Sequence, residues 1–495
     1  MFDMTTPLSL ANLSRLPANV GRPAYDPARL RAGILHFGVG NFHRSHQAVY
    51  LDDLFNQGRD HDWAIVGAGV FEGEKAGRDR LAAQDWLTTV VEQDSGHVSA
   101  RVTAPMVDYL TPGDAAAIVA RLADPAIRIV SLTITEGGYF IDPASHRFNP
   151  GHLDIAADAV SPERPKTVFG LIVAGLKQRR AAGTAPFTVM SCDNIPHNGH
   201  VASDAVVGLA RLSDPGLADW IAENVAFPNG MVDRITPATT DRERERLADE
   251  FGVDDAWPVF CEPFRQWVLE DRFPAGRPAL ETVGVTFVDD VSPFELMKIR
   301  ILNGGHATIA YPAGLMDIHF VHEAMEDPLV RAFLTKVESE EIIPTVPPVP
   351  GVVLAEYYEL IQRRFANPRI GDTIRRLCLD GSNRQPKFIV PAIADRLKAG
   401  QGVAGLALES ALWCRYCAGT TDGGAVTAPN DPNWDRLQAT ARAAKENPGA
   451  WLAMDDIYGA VGRSPAFADA FSGALSALWR DGTAGTLRRY LAGTG

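Results

Sequence analysis

Short apolar runs alternate with helically spaced apolar residues through the first half of the chain. Gly33 to Phe37 (GILHF) leads into GVGNFH and then HRSHQAVYLDDLF, which reads as strand, glycine turn and helix. Further apolar runs lie at 63–70 (WAIVGAGV), 87–94 (LTTVVEQD), 127–135 (IRIVSLTIT) and 187–192 (FTVMSC). Helical patterns separate several of them, notably TVFGLIVAGLKQRRAAG after Lys166. Such alternation predicts an α/β fold with a mostly parallel sheet covered on both faces. After VGVTFVDD (283–290) the texture changes. From Pro293 onward the periodicity is mainly helical, broken by proline-rich stretches such as IIPTVPPVPGVV (342–353). Two domains are expected, an α/β domain over 1–290 and a mostly α-helical domain over 291–495. No internal repeat and no low-complexity segment interrupts them.

Composition narrows the functional classes. With 495 residues, 46% hydrophobic and 22% charged, the chain has the makeup of a globular protein with sizeable cores. Its net charge of -14 argues against a nucleic-acid partner, because such binding rests on Lys and Arg neutralising phosphates. The N-terminal MFDMTTPLSL has no basic start followed by an apolar signal-length run, and no apolar stretch reaches membrane-spanning length, so a cytoplasmic protein with no membrane partner is expected. The five cysteines (Cys192, Cys261, Cys378, Cys414, Cys417) are scattered and odd in number, which suits reduced thiols. Cys414 and Cys417 form a lone CxxC within the apolar helical segment ALESALWCRYCAG, with no second ligand pair to complete a metal site.

Gly38 and Gly40 stand where a tight turn and close backbone approach to a pyrophosphate require residues without side chains, and the following helix would aim its amides at the phosphates. His43 occupies the place of the third glycine of the GxGxxG pattern. The second strand ends at Glu72, roughly thirty residues on, whose carboxylate can accept from ribose hydroxyls and repel a 2′-phosphate, which favours NAD over NADP. Lys75 nearby can relax that preference. The candidate cofactor-binding residues are Phe37, Gly38, Val39, Gly40, Asn41, Phe42 and Glu72. An ordinary strand-to-helix turn beside a solvated carboxylate stays open on these residues alone.

The segment PFELMKIRILNGGHATIAYPAGL carries Lys298, Asn303 and His306 in the spacing K-x4-N-x2-H, with Glu295 three residues before the lysine. On a regular helix Lys298, Glu295, His306 and Asn303 fall at roughly 0°, 60°, 80° and 140°, a shared polar face beside apolar Met297, Ile301 and Leu302. A lysine lowered in pKa by burial or neighbouring positive charge can take a hydroxyl proton as hydride departs. Amides such as Asn303 steady the developing alkoxide. Gly304 and Gly305 cost helix stability and so suggest close approach or a break. Taken singly, each polar residue could equally be a surface lysine or a satisfied histidine.

SCDNIPHNG (191–199) follows an apolar run, where ligands bind at strand ends of open sheets, although such Asx-rich turns are often only turns. FPNGMVDRITPAT places Asp233 and Arg234 in a similar setting, and RRLCLDGSNRQPKF groups Arg375, Arg376, Arg384 and Lys387. That basic cluster can bind hydroxyls or phosphate, or pair with surplus carboxylates.

At these residues the chain resembles the mannitol dehydrogenase family of polyol-specific long-chain dehydrogenases. The resemblance runs in order through GVGNFHRSHQAVY, TITEGGY, SCDNIPHNG, FPNGMVDRITP, EPFRQWVLED, KIRILNGGHATIAY and DGSNRQPKF. It implies a Rossmann-type, doubly wound N-terminal domain, a mostly helical C-terminal domain, an active site between them and no catalytic metal. It further implies Lys298 as general base, Asn194 with Asn303 as the alkoxide-stabilising pair and Glu295 as proton relay. Asp233, His306, Arg376 and Arg384 match its substrate-contacting positions. Arg384 stands where many members carry lysine, and Arg375 adjoins Arg376, so that assignment is the looser one. The activity implied is reversible NAD-dependent oxidation of a sugar alcohol to its ketose, foremost D-mannitol to D-fructose, with D-sorbitol or D-arabinitol as further substrates, by an enzyme that acts as a monomer. The alternative is a hexuronate (fructuronate or tagaturonate) reductase of the same family, which the basic cluster keeps open.

Overall fold

The computed structural model describes residues 5–142 and 147–493; residues 1–4, on which part of the N-terminal reading rests, lie outside it. The chain divides into two compact units, Met1–Val291 and Ser292–Gly495.

The first unit is built on five parallel strands: β1 (Ala32–Phe37), β2 (Ala64–Ala68), β3 (Met106–Tyr109), β4 (Ile129–Leu132) and β5 (Thr188–Ser191). Their spatial order is β3–β2–β1–β4–β5, that of a Rossmann sheet. Alternate residues serve opposite faces. Ile34, Ile129 and Met190 enter one core with Leu51 and Leu54, while Leu35, Val130 and Val189 enter another with Phe169, Ile172 and Val206. Both faces being covered explains why these strands read as continuous apolar runs. The helix Val168–Ala182 starts where the Thr167 side chain accepts from Gly170 N and stops at Gly183 in the left-handed region.

LTTVVEQD does not join this sheet. Thr88–Gln93 pairs antiparallel with Val98–Thr103 in a separate four-stranded sheet that also contains Val259–Cys261 and Val20–Gly21. Apolarity marks a strand as buried without specifying its neighbour, and this hairpin is inserted between β2 and β3. A three-stranded sheet joins Gly230–Asp233, Gln266–Glu270 and Thr286–Val288.

The second unit is helical. The helix Ala404–Cys417 packs against the helical segment Pro465–Leu491, which kinks at Gly482. Cys414 and Cys417 are both buried free thiols, pushed well above their ordinary range by burial. Among the described residues no helix is long and apolar enough to cross a membrane.

The segment bearing Lys298 departs from a regular helix. Ser292–Met297 is α-helical, Lys298–Asn303 is π-helical and Gly304–Leu315 is α-helical again. The roughly 140° separation expected between Lys298 and Asn303 on a regular helix is therefore too wide. A turn closed by i→i+5 bonds, such as Gly304 N to Ile299 O, advances fewer degrees per residue and brings residues five apart closer to one face.

Candidate active site

The glycine turn follows β1. Gly38 has φ +91°, and a Cβ there would collide with the Thr133 carbonyl oxygen. Gly40 is the N-cap of the short helix Asn41–Ser45, and a Cβ on it would meet nothing nearer than Gly38 O at 3.8 Å. The first-turn amides of a helix have no partner within it, so this open turn suits an anionic group. The side chains of Phe37 and Val39 are buried, and Asn41 Nδ2 donates to Pro237 O (3.0 Å) and Thr239 Oγ1 (3.1 Å). Asn41 Oδ1 in turn accepts from Arg44 Nη2 at 2.8 Å. Phe42 stacks on His46 at 4.8 Å. In place of a third glycine, His43 lies flat on His36 of β1 at 3.6 Å, and the helix breaks at His46. Burial holds His36 down at about 3, so it is neutral at ordinary pH.

Glu72 lies four residues beyond the end of β2, with its side chain 87% exposed. Its neighbour Glu74 is committed to the loop, accepting from Val70 N and Phe71 N at 2.8 Å each. Phe71, passed over in the sequence reading, is 72% exposed beside Glu72. An aromatic residue next to the expected ribose carboxylate was the available signal.

Beyond β5 the Asx-rich cluster separates by role. Asp193 accepts from Ile134 N and Thr135 N at 2.9 Å and from the Tyr139 hydroxyl at 2.7 Å, tying the ends of β4 and β5 together. Asn198 donates to Gly230 O (2.8 Å) and accepts from Gly230 N (2.9 Å). Both are structural, and Asn194 between them is exposed. Asp233 is buried at the end of its strand. Arg234 is fixed by Glu92 Oε1 (2.6 Å) and Glu262 O (2.9 Å), which makes it a structural cation.

In the second unit Lys298 and Glu295 are buried. The His306 ring stacks on Phe365 at 4.2 Å, and neither His306 Nε2 nor Asn303 Oδ1 has a hydrogen-bond partner among the described residues. Burial, and then the charge of Arg376, lower the His306 imidazole to about 3; Asp372, Arg364 and Arg384 act on it as well. His306, Arg376 and Arg384 thus share one electrostatic neighbourhood. Arg376 Nε donates to Asp372 Oδ1 at 2.5 Å, whereas Arg375 turns to the carbonyls of Ala428 and Pro429, so Arg376 is the arginine that belongs here. Arg384 donates to Leu377 O at 2.9 Å. Arg364 is a buried member that sequence reasoning missed.

Gly305 gives room to a buried acid. A Cβ there would stand 3.1 Å from Glu338 Oε1, and neither Glu338 oxygen has a partner among the described residues. Burial holds this carboxyl well above its ordinary 4.5. The unfolded chain releases the proton above about pH 4.5 while the folded chain keeps it, so stability falls as pH rises, by at most about 1.4 kcal/mol per pH unit. Glu338→Gln removes that linkage. It is expected to be more stable than the parent by ~1 kcal/mol or more near pH 8 and to gain little near pH 5, as read from urea midpoints.

The sheet order, the glycine turn and the polar face at Lys298 define a Rossmann-type dehydrogenase. Family models match residues 32–282 (mannitol dehydrogenase Rossmann domain) and 290–479 (mannitol dehydrogenase C-terminal domain). A mannitol 2-dehydrogenase of Cereibacter sphaeroides is 61% identical over 475 residues, covering 96% of this chain and 99% of the relative. Among solved structures, a Pseudomonas fluorescens mannitol 2-dehydrogenase in ternary complex with NAD and D-mannitol is 45% identical with a TM-score of 0.88, covering 98% of this chain and 100% of that one. A D-sorbitol dehydrogenase in substrate-free form is 35% identical with a TM-score of 0.90, covering 97% and 100%. The chain belongs to the mannitol dehydrogenase family.

Proposed function

We propose that the protein is an NAD-dependent polyol dehydrogenase that oxidises D-mannitol at C2 to D-fructose, reversibly and with a lysine as base. The observation that carries this is the K-x4-N-x2-H segment, whose lysine is buried and whose Lys298–Asn303 turn is π-helical, supported by relatives named mannitol 2-dehydrogenase that match over nearly their whole length. Neutral Lys298 Nζ takes the C2 hydroxyl proton. Amide N–H groups of Asn194 and Asn303 donate to the oxygen as its negative charge grows. NAD, when bound, would supply the acceptor for the C2 hydride, and the hydroxyl proton stays on Lys298 Nζ as the ketone forms. Glu295, three residues before Lys298, passes that proton on to water. His306, neutral at working pH, can hydrogen-bond a further hydroxyl, and Asp233, Arg376 and Arg384 hold the rest of the polyol chain. D-sorbitol and D-arabinitol are expected as slower substrates.

The open glycine turn accommodates the pyrophosphate, Glu72 the adenosine ribose and exposed Phe71 the adenine face. Replacing Glu72 by serine is expected to narrow the preference for NAD over NADP by about tenfold, ~1.4 kcal/mol, as read from the ratio of the two kcat/KM values. The substrate class is tested with mannitol, sorbitol, arabinitol and xylitol in the presence of NAD, and with fructuronate and tagaturonate in the presence of NADH. Turnover of neutral polyols supports the proposal, while turnover of the uronates alone would replace it with the reductase reading.

A further inference from the structure

A buried polar contact links the stretches of the second unit that carry His306 and Arg384. Gln385, next to Arg384 on the helix Gly381–Phe388, is 1% exposed, and its Nε2 donates to Glu409 Oε1 at 2.6 Å. Glu409 is fully buried on the helix Ala404–Cys417. The hydroxyl of Tyr311, from the helix that starts directly after Asn303, interacts with the same Gln385 side chain. At the start of its helix Gly381 is pressed into this junction: a Cβ there would stand 2.5 Å from Trp413 Nε1 and 2.9 Å from the Tyr311 hydroxyl oxygen. Three helices therefore meet on one amide and one carboxyl.

Burying a carboxyl is unfavourable, and a well-packed apolar residue of similar volume is often at least as stable. Here burial pushes the Glu409 carboxyl up to about 8. Gln385 adjoins Arg384, Tyr311 lies five residues beyond His306 on the same helix, and the charge of Arg384 acts on His306. We propose that Glu409 and Gln385 are positioning residues: they fix the helix Gly381–Phe388 against the helix Gly304–Leu315 and so hold Arg384 where it meets the far hydroxyls of the substrate. This rests on the polyol reading. Because the junction acts through Arg384, it governs polyol affinity rather than hydride transfer or NAD binding.

The test is steady-state kinetics with mannitol and NAD on the full-length enzyme. Glu409→Ala is expected to raise KM for mannitol about tenfold, with kcat within about threefold and KM for NAD unchanged. Glu409→Gln, which keeps a polar group facing Gln385, is expected to restore KM to within about twofold. In an Arg384→Ala background Glu409→Ala should add nothing, because the residue it positions is gone. Should Glu409→Ala fail to fold, Gln385→Met, close in volume, is read in the same way. An additive loss in the double variant, or parallel loss of kcat and NAD affinity without rescue by Glu409→Gln, would overturn the junction's role while leaving the polyol reading intact. A parent enzyme that turns over no polyol would overturn that reading and this inference with it.

Discussion

Lys298→Ala is expected to lower kcat for polyol oxidation by about 10³–10⁴-fold, the range in which a positioned general base acts, with KM for NAD within about twofold of the parent. The size follows from the chemistry: without a base, the alcohol proton must leave to water while hydride departs. The sign of the pH dependence follows too. With Lys298 as the proposed base, oxidation needs the lysine neutral and reduction needs it protonated, so the parent's kcat/KM for polyol is expected to rise with pH and that for the ketose to fall. The residual activity of Lys298→Ala should lose this dependence. His306 cannot supply the inflection, because its imidazole is held at about 3 and stays neutral across the working range. Stopped-flow and steady-state rates of the variant from acid to alkaline pH check both points.

Gly38→Ala is the second large effect. The residue sits at φ +91°, where an L side chain is strained, and the added methyl would collide with the Thr133 carbonyl. Backbone strain alone costs about 1–3 kcal/mol, and relieving the collision must move either β4 or the turn. An overall loss of about 3 kcal/mol or more is expected, together with at least a tenfold rise in the dissociation constant for NAD. Thermal melts and quenching of protein fluorescence by NADH separate the two. Gly40→Ala, with open space at its Cβ and φ -106°, should be far milder in melts while still weakening NAD.

The contrast between these glycines shows what the sequence made legible. That a strand, a glycine turn and a helix follow one another was readable from residues 33–55, because strands buried on both faces leave unbroken apolar runs and tight turns demand glycine. Which run pairs with which was not. Residues 87–94 read as one more strand in the same alternation, yet they form a hairpin in another sheet. The K-x4-N-x2-H spacing was visible, but its π-helical turn was not, since a single extra residue per turn leaves no mark on apolar periodicity. Arg375 and Arg376 were indistinguishable until their partners separated them. Glu338 and Glu409 were the least legible, because a buried acid and a solvated one are the same letter and only the packing around Gly305 and Gln385 tells them apart.

Lysine-based oxidation of a neutral polyol, as proposed, needs no catalytic metal. Its most direct test is the initial rate of NADH formation from D-mannitol and NAD, measured for EDTA-treated parent enzyme beside Lys298→Ala. The parent rate should be untouched by EDTA and the variant nearly silent. A parent rate abolished by EDTA and restored by zinc, or a Lys298→Ala enzyme with full activity, would contradict it.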